Sequence, residues 1–509
     1  MRVAGKISAP FGPRRGLGRE RAGILQAVIR LPSCDALTGA ERYSVTLLRD
    51  LARLPAVEDE SADVVRLELT ARDPSDTELS TCLARDWYFE RGDGVVRVPR
   101  AVLRRIAAVA GAAGEQQTGV RDRYGRVPSS ENVLVRLGRD GEPVVSRAAQ
   151  RFREAVLASA GRRPVALCVP WPEGKRWAAA FTHDLDIVAY WPLFTLLRLS
   201  ELARKAQLMR GMRTVVAALG ALGRNPVARG VRAVLEVEQR HGVPSTWFVL
   251  CGTPTLASLR AGDLTYAPES RAATAILRDL IARGCEIGLH GSFATADRPA
   301  LFGEQRARLE QLTGHPVRGV RQHFLRMRPG ATQYGMLASG FQYDATYGFP
   351  DRNGFRLGVA DVIPAWDASA ERPLALDEVP LCWMDRALSK YRGVEEPDAW
   401  VSEGIRMARE CREVEGVWVG VWHPNLTPAL GFPGAPRAFG GLVERIVADA
   451  PFLATLSSIV TWRAARRSLG IRRLAPDGRI EVHGAEPVAA PLALEDPAGR
   501  PIAAARAVV

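Results

Sequence analysis

From about residue 165 onward the chain alternates between short apolar runs and longer amphipathic segments, and this rhythm restricts its fold more than any other feature. The runs at 177–182, 245–250, 285–289, 317–321, 341–343 and 417–422 have the length and side-chain content of buried strands. Between them lie helical patterns, among them 268–283, 299–312 and 402–414, followed by Gly284, Gly314 and Gly416. Glycine just past the last turn is a common helix stop. Strand and helix in alternation predict a parallel sheet, and at this length either a barrel or a doubly wound sheet.

The first 165 residues follow a different pattern. Val45, Leu48 and Leu51, then Val102, Ile106 and Val109, predict helices over 42–54 and 98–110. Segments 64–69 and 132–137 read as strands, 121–131 as a polar loop, and 147–159 as a helix leading into the sequence Cys168-Val-Pro-Trp-Pro. Past Gly470, short alternating segments separated by turn motifs predict a β appendage. The expected organisation is an N-terminal mixed α/β region (1–165), a barrel (166–465) and a short β-rich C-terminal appendage (466–509).

The formal net charge of +13 raises nucleic acid as a partner, but the basic residues are scattered and no aromatic-interleaved basic stripe occurs, so none is expected. Seven cysteines, odd in number and without a C-x-x-C, argue against a disulfide framework. Residues 1–21 are basic and lack the apolar segment of a secretory signal, and no stretch reaches the ~20 apolar residues of a membrane span. A cytoplasmic location is expected. The nearest approach to a span, 187–199, is short and contains Pro192, which leaves it as a candidate apolar surface.

Several of the strand patterns end on ionisable residues. The first runs into Thr182-His183-Asp184-Leu185-Asp186, the third into His290-Gly291-Ser292, the fourth into Gln322-His323, and the last into His423-Pro424-Asn425. Packing alone does not explain this, because a buried carboxylate or imidazole needs partners. In α/β folds, catalytic groups sit at the C-terminal ends of strands. Side chains alternate between the two faces of a strand, so Asp184, His290, Arg321, His323 and His423 converge if the small-residue faces line the barrel. His183 then faces the helices as a core histidine, and Trp418 and Trp422 pack beneath helices.

In order and spacing these segments resemble the polysaccharide deacetylase (NodB-homology) superfamily. The carriers are Thr182–Asp186, the Ser245-Thr-Trp-Phe-Val249 strand, Glu286–His290, Arg321, Tyr343–Phe349 and His423. The resemblance spans about 300 residues and implies a distorted parallel (β/α) barrel. It further implies metal-dependent N-deacetylation of an N-acetylated sugar or glycan precursor, with a divalent metal, zinc by preference, as cofactor. By the family pattern Asp184 is the base, Asp186 and His290 are metal ligands, His423 is the acid and Arg321 orients Asp184. Ser292 and Asn425 are candidate substrate contacts. Asp367 and Asp385 lie where the family has a further acidic residue.

One position departs from the pattern. The family's second histidine, four residues after the first, is here Ala294. His323 is the expected replacement ligand by parity, with substrate contact as its other role. Two further readings stay open: a catalytically degenerate barrel that binds a glycan or partner, and a hydrolase of a non-sugar C–N bond. The oligomeric state is undetermined by the sequence.

Overall fold

The computed structural model describes residues 29–30, 37–57, 65–71, 89–161, 165–188, 191–260, 266–474, 480–484, 493–502 and 504–506. The basic stretch 1–21, Cys34, Cys82 and the Pro-Asp-Gly turn at 476–478 lie outside them.

At the centre is a sheet of ten strands: β1 (Ala178–Leu185), β2 (Ser245–Leu250), β3 (Glu286–Gly291), β4 (Gly319–Gln322), β5 (Tyr343–Asp344), β6 (Ile363–Asp367), β7 (Arg372–Glu378), β8 (Trp383–Met384), β9 (Val417–Trp422) and β10 (Phe452–Leu453). Their order is β6-β7-β5-β4-β3-β2-β1-β9-β8, with β10 also on β1. Only β6 and β7 pair antiparallel; the other pairs are parallel. Among the described residues no ladder closes the sheet. The chain itself joins its two sides, because β7 pairs with β5 while β8 pairs with β9. Between them the Val379 amide donates to the Asp344 carbonyl (2.8 Å) and the Cys382 amide to the Val419 carbonyl (3.1 Å). The expected distorted barrel is therefore present, bridged by the link 379–382.

Strand alternation sorts the side chains into two layers. Ala178, Ala180, Phe248, Tyr343, Val417, Val419 and Val421 fill the inner core, and Ala179, Phe181, Trp247, Trp418 and Trp422 pack outward among the helices. Alanine on β1 leaves room for the large Phe248 and Tyr343. Gly288 on β3 does the same, since a Cβ there would lie 2.6 Å from a Phe248 ring carbon. Trp462 and Ile459, on the helix Leu456–Ser468, extend the inner core, together with Trp171 and Phe452. The polar ends of the strands lie at the opposite mouth.

The N-terminal helices Gly39–Leu51, Arg100–Ala110 and Val144–Ala160 agree with the sequence pattern. The first is fixed by a capping box, Thr38 and Glu41 each satisfying the other's backbone amide. Segment 132–137 is a correction: it holds the helix Val133–Arg136 instead of a strand. Asn132 Oδ1 accepts from the Leu134 amide at 2.9 Å, and this cap starts a helical turn that the short apolar run Val133-Leu134-Val135 masks in the sequence. The core of this region continues into Met327, Tyr347, Leu357, Val359, Ile363 and Trp366. A buried Arg356–Glu115 ion pair (2.6 Å) reinforces the contact. Near the C-terminus, Gly470–Leu474 pairs with Ile480–His483 and with Ala56–Val57, and Leu494–Glu495 pairs with Leu167–Cys168.

One rung of the sheet carries two acids. Asp344 on β5 and Glu378 on β7 are register partners, and both are buried. Asp344 Oδ1 accepts from the Thr346 amide (2.9 Å) and Glu378 Oε1 from Gln333 (3.1 Å), leaving Asp344 Oδ2 and Glu378 Oε2 buried to share a proton. Burial first, and for Glu378 the charge of Asp344 next, push both carboxyls upward, Asp344 to about 6 and Glu378 well above the ordinary range. The folded chain thus binds more protons than the unfolded one above pH ~4, and stability falls as pH rises through the folded values. Glu378→Gln keeps the shape and removes the ionisation. Its melting temperature is expected to exceed that of the native chain at pH 8, with the gap closing toward pH 5. A variant melting at or below the native chain at pH 8 would exclude the shared proton.

Candidate functional site

β1 ends with Thr182, Asp184 and, one residue past the strand, Asp186. Asp184 shares the inward parity of Ala178 and Ala180. Its Oδ1 accepts from Arg321 Nη1 at 2.8 Å. The same Nη1 donates to Thr182 Oγ1 (2.9 Å), and Arg321 Nε donates to the Ala345 carbonyl (3.0 Å). The fully buried guanidinium lies over the Phe248 ring, 4.3 Å from its centroid. Burial alone would raise the Asp184 carboxyl; Arg321 above all, then His290 and His423, outweigh it and hold the carboxyl below its ordinary range. Asp184 is therefore ionised and oriented.

His290 on β3 is the register neighbour of Arg321. Its Nδ1 donates to the Arg321 carbonyl (2.9 Å), which assigns the proton to that nitrogen and leaves Nε2 as a bare acceptor in the neutral ring. That Nε2 lies 3.2 Å from Asp186 Oδ1. His323 follows β4 on a tight turn, and its Nε2 lies 3.6 Å from the same oxygen. Two residues with positive φ, Phe324 (60°) and Leu325 (53°), hold this turn. Such backbone costs roughly 1–3 kcal/mol per residue and persists where the surroundings impose it. Here Phe324 stacks on Tyr124 at 5.1 Å, so the N-terminal region anchors the turn that aims His323.

The ligand atoms of Asp186, His290 and His323 all lie within 4.8 Å of one another. Ligands of a tetrahedral zinc ion at ~2.0–2.1 Å stand roughly 3.3 Å apart, close to the two distances above. Asp186 Oδ1 is buried and accepts no hydrogen bond, and it faces a nitrogen lone pair across 3.2 Å. Two acceptors held together call for a cation between them, and a carboxylate with two imidazoles suits zinc or a similar ion. The residues fit the metal. Ala294, where a second histidine was expected, instead borders a separate cleft beside Arg298 and Arg308.

His423 follows β9 directly. Its Nδ1 and its amide nitrogen are both bound by Asp385, each at 2.6 Å. Its Nε2 lies 3.5 Å from Asp186 Oδ2. Burial lowers the imidazole, but Asp385 first, then Asp186 and Asp184, raise it to about 9. The sequence had left Asp385 undecided beside Asp367. Two-residue β8, in register with Gly420 and Val421 of β9, brings it to His423, and a strand this short leaves no periodic trace.

These groups border a cleft of about 180 Å³. Asn425 lines it, along with Phe324, Tyr391, Arg126, Arg386 and Lys390, none of which the sequence singled out. Ser292, expected at the substrate, does not: its Oγ accepts from Gln305 (2.8 Å) and it borders the other cleft. His183 is a satisfied core residue, bonded to the Trp422 carbonyl (3.0 Å) and to Glu238 (2.7 Å).

No protein-family model matches the sequence, and no curated protein matches it significantly. Solved structures do resemble it. A protein assigned as a polysaccharide deacetylase from Mycobacterium smegmatis is 22% identical, with 60% of this chain and 96% of that one covered at a TM-score of 0.40. Another so assigned, from Pseudomonas aeruginosa, is 18% identical (60% and 95% covered, TM-score 0.37). A PuuE allantoinase is 15% identical (59% and 93%, TM-score 0.37). Polysaccharide deacetylases are among the solved structures this chain is similar to.

Metal content distinguishes ligands from groups that handle protons. Purified in zinc or cobalt, the native chain is expected to hold one ion. His290→Ala and His323→Ala should each lower occupancy at least about tenfold. Asp184→Asn and His423→Ala should retain it, as measured by elemental analysis. Full occupancy in His323→Ala would remove His323 from the ligand set.

Proposed function

We propose that the chain is a metal-dependent amidohydrolase that removes the acetyl group from an N-acetylated sugar or glycan precursor. The observation that carries this reading is the grouping of three ligand-type residues between two differently tuned proton-transfer groups in one cleft. A divalent ion bound by Asp186, His290 and His323 would polarise the amide carbonyl and acidify a water.

The chain's own residues divide the remaining work. Asp184 is the base: Arg321 holds Oδ1, and Oδ2 is the oxygen that faces His290 Nε2, at 3.9 Å. Its depressed basicity is sufficient for a water already acidified. His423 is the acid. Asp385 binds Nδ1 and keeps the ring protonated, so Nε2 carries the proton given to the leaving amine. Arg321 touches no substrate and positions Asp184. Asn425 and the ring of Tyr391 border the space left for the sugar. A cytoplasmic location is proposed on the cysteine usage; the free thiols Cys168, Cys251, Cys285, Cys382 and Cys411 are compatible with it.

Assay of acetate release from N-acetylglucosamine oligomers or a nucleotide-linked N-acetyl sugar tests the reading. Asp184→Asn and His423→Ala are each expected to lower kcat by about 10²–10⁴-fold. Because His423 acts protonated, activity falls as pH rises through its pKa. Asp385→Asn, which removes the main cause of its elevation, should move the alkaline limb of kcat/KM to lower pH. An unmoved limb would assign that limb to another group. A metal-loaded native chain that binds these sugars without releasing acetate would favour the degenerate-barrel reading.

A further inference from the structure

Two helices, Trp191–Arg204 and Leu208–Leu219, lie beside the cleft, and the second is turned opposite to the usual amphipathic rule. In the second, Leu208, Met212, Val216 and Leu219 recur at helical spacing and are 70, 61, 70 and 60% exposed. The face toward the protein is polar. Thr214 is buried there, and Arg210 bonds the Gly431 carbonyl (3.1 Å) and Glu395 (2.7 Å). The first helix repeats the arrangement in part: Leu202 is buried, and Trp191 and Phe194 pack against the core, but polar residues also face inward. Thr195 bonds the Ala429 carbonyl (2.9 Å) and Arg198 bonds Glu395 (2.9 Å), while Leu193, Leu196 and Leu197 face outward. Of the fourteen exposed large hydrophobic residues among those described, ten fall between Leu193 and Leu222, so the patch is a local feature of this hairpin.

Charge identifies what covers it. Residues 191–224 contain six basic side chains and one acidic one; Arg198 and Arg210 face inward onto Glu395 and Lys205 pairs with Glu201 (2.8 Å), while Arg204, Arg213 and Arg224 are exposed at the margins of the apolar face. A second copy of the chain would bring two like-charged hairpins together, which is unfavourable. An apolar face rimmed by Lys and Arg fits the plane of an anionic bilayer, with the apolar residues among the acyl chains and the cations at the headgroups. No helix among the described residues is long and apolar enough to cross a membrane, so the hairpin would lie in the interface. The face is also continuous with the site. Leu197 borders a groove that shares Ile187, Phe194, Arg386, Lys390 and Asn425 with the catalytic cleft.

We propose that the hairpin 191–222 docks the protein on an anionic lipid surface, with the catalytic cleft opening at the membrane plane. The hydrolase reading enters only in what the cleft does once docked. Flotation with vesicles of phosphatidylcholine, with and without phosphatidylglycerol, tests the docking. The native chain is expected to float with the anionic vesicles, less so at high salt. The variant Leu208→Ser/Met212→Ser/Val216→Ser/Leu219→Ser should bind at least about tenfold more weakly. These side chains are exposed, so the variant's circular dichroism and melting temperature should match the native chain's. Asp184→Asn should float as the native chain does, separating a failure of docking from a failure of catalysis. A native chain that stays with the protein fraction would overturn the proposal, as would a quadruple variant that floats unchanged. So would a dimer in sedimentation equilibrium that the variant dissociates, since a second copy would then cover the face.

Discussion

The ion pair between Arg321 and Asp184 is the constraint around which the barrel mouth is organised. Taking both charges out of water costs several kcal/mol per ion, so such a pair survives only with nearly every lone pair and proton engaged. The protein engages Nε and Nη1 with groups from several strands, Thr182 on β1 and the carbonyl of Ala345 just past β5, and sets the guanidinium on the face of Phe248 on β2, while Nη2 is buried without a hydrogen-bond partner. Gly288 makes room for that ring. The carbonyl of Arg321 in turn fixes the tautomer of His290. One buried cation thereby sets the direction of Asp184, the proposed base, and the free nitrogen of His290, a proposed metal ligand.

This dependence explains which parts of the structure were legible in the sequence. β1, β2, β3 and β9 are long enough to show alternation, and their inward residues follow from parity. Asp184, His290 and His423 were therefore placed by counting. β6, β7 and β8 were invisible, two of them for different reasons. β8 has two residues, and β7 alternates exposed and buried positions like an ordinary surface strand. Yet the segment β7–β8 bridges the two sides of the sheet and delivers Asp385 to His423. The helix Val133–Arg136 was misread for a related reason, its four residues being too few to separate a period of 3.6 from one of 2.

His323 shows both the reach and the limit of parity. Counting from Arg321 placed it inward, and its Nε2 does approach Asp186. Its orientation, however, comes from a turn through left-handed Phe324 and Leu325 that no periodicity encodes. Tyr124, far away in sequence, holds that turn by stacking. The cations Arg126 and Lys390 gather on the same ring, with Lys390 pushed down to about 8, by burial first and the neighbouring arginines next. The N-terminal region thus helps to shape the candidate cleft, a role that its own sequence, read alone, does not announce.

The two carboxylates of Asp184 and Asp186 stand two residues apart on one strand end and are both ionised, for different physical reasons. Asp184 is neutralised by a fixed cation of the protein, so its free oxygen is available for a proton. Asp186 has imidazoles as its nearest charged or polar partners, His290 and His323 at one oxygen and His423 at the other. Burial opposes its charge, and the neighbouring histidines, His323 above all, hold it far below the ordinary carboxylate range. Imidazoles can stabilise a carboxylate this way only while protonated, and the Arg321 carbonyl already takes the Nδ1 proton of His290. A second proton on His290 competes with any cation seated among the three acceptors, as would one on His323. Protons and a metal would use the same acceptor atoms, so metal affinity would fall with acidity. Asp184 has a permanent partner in Arg321, which suits the role of base proposed for it.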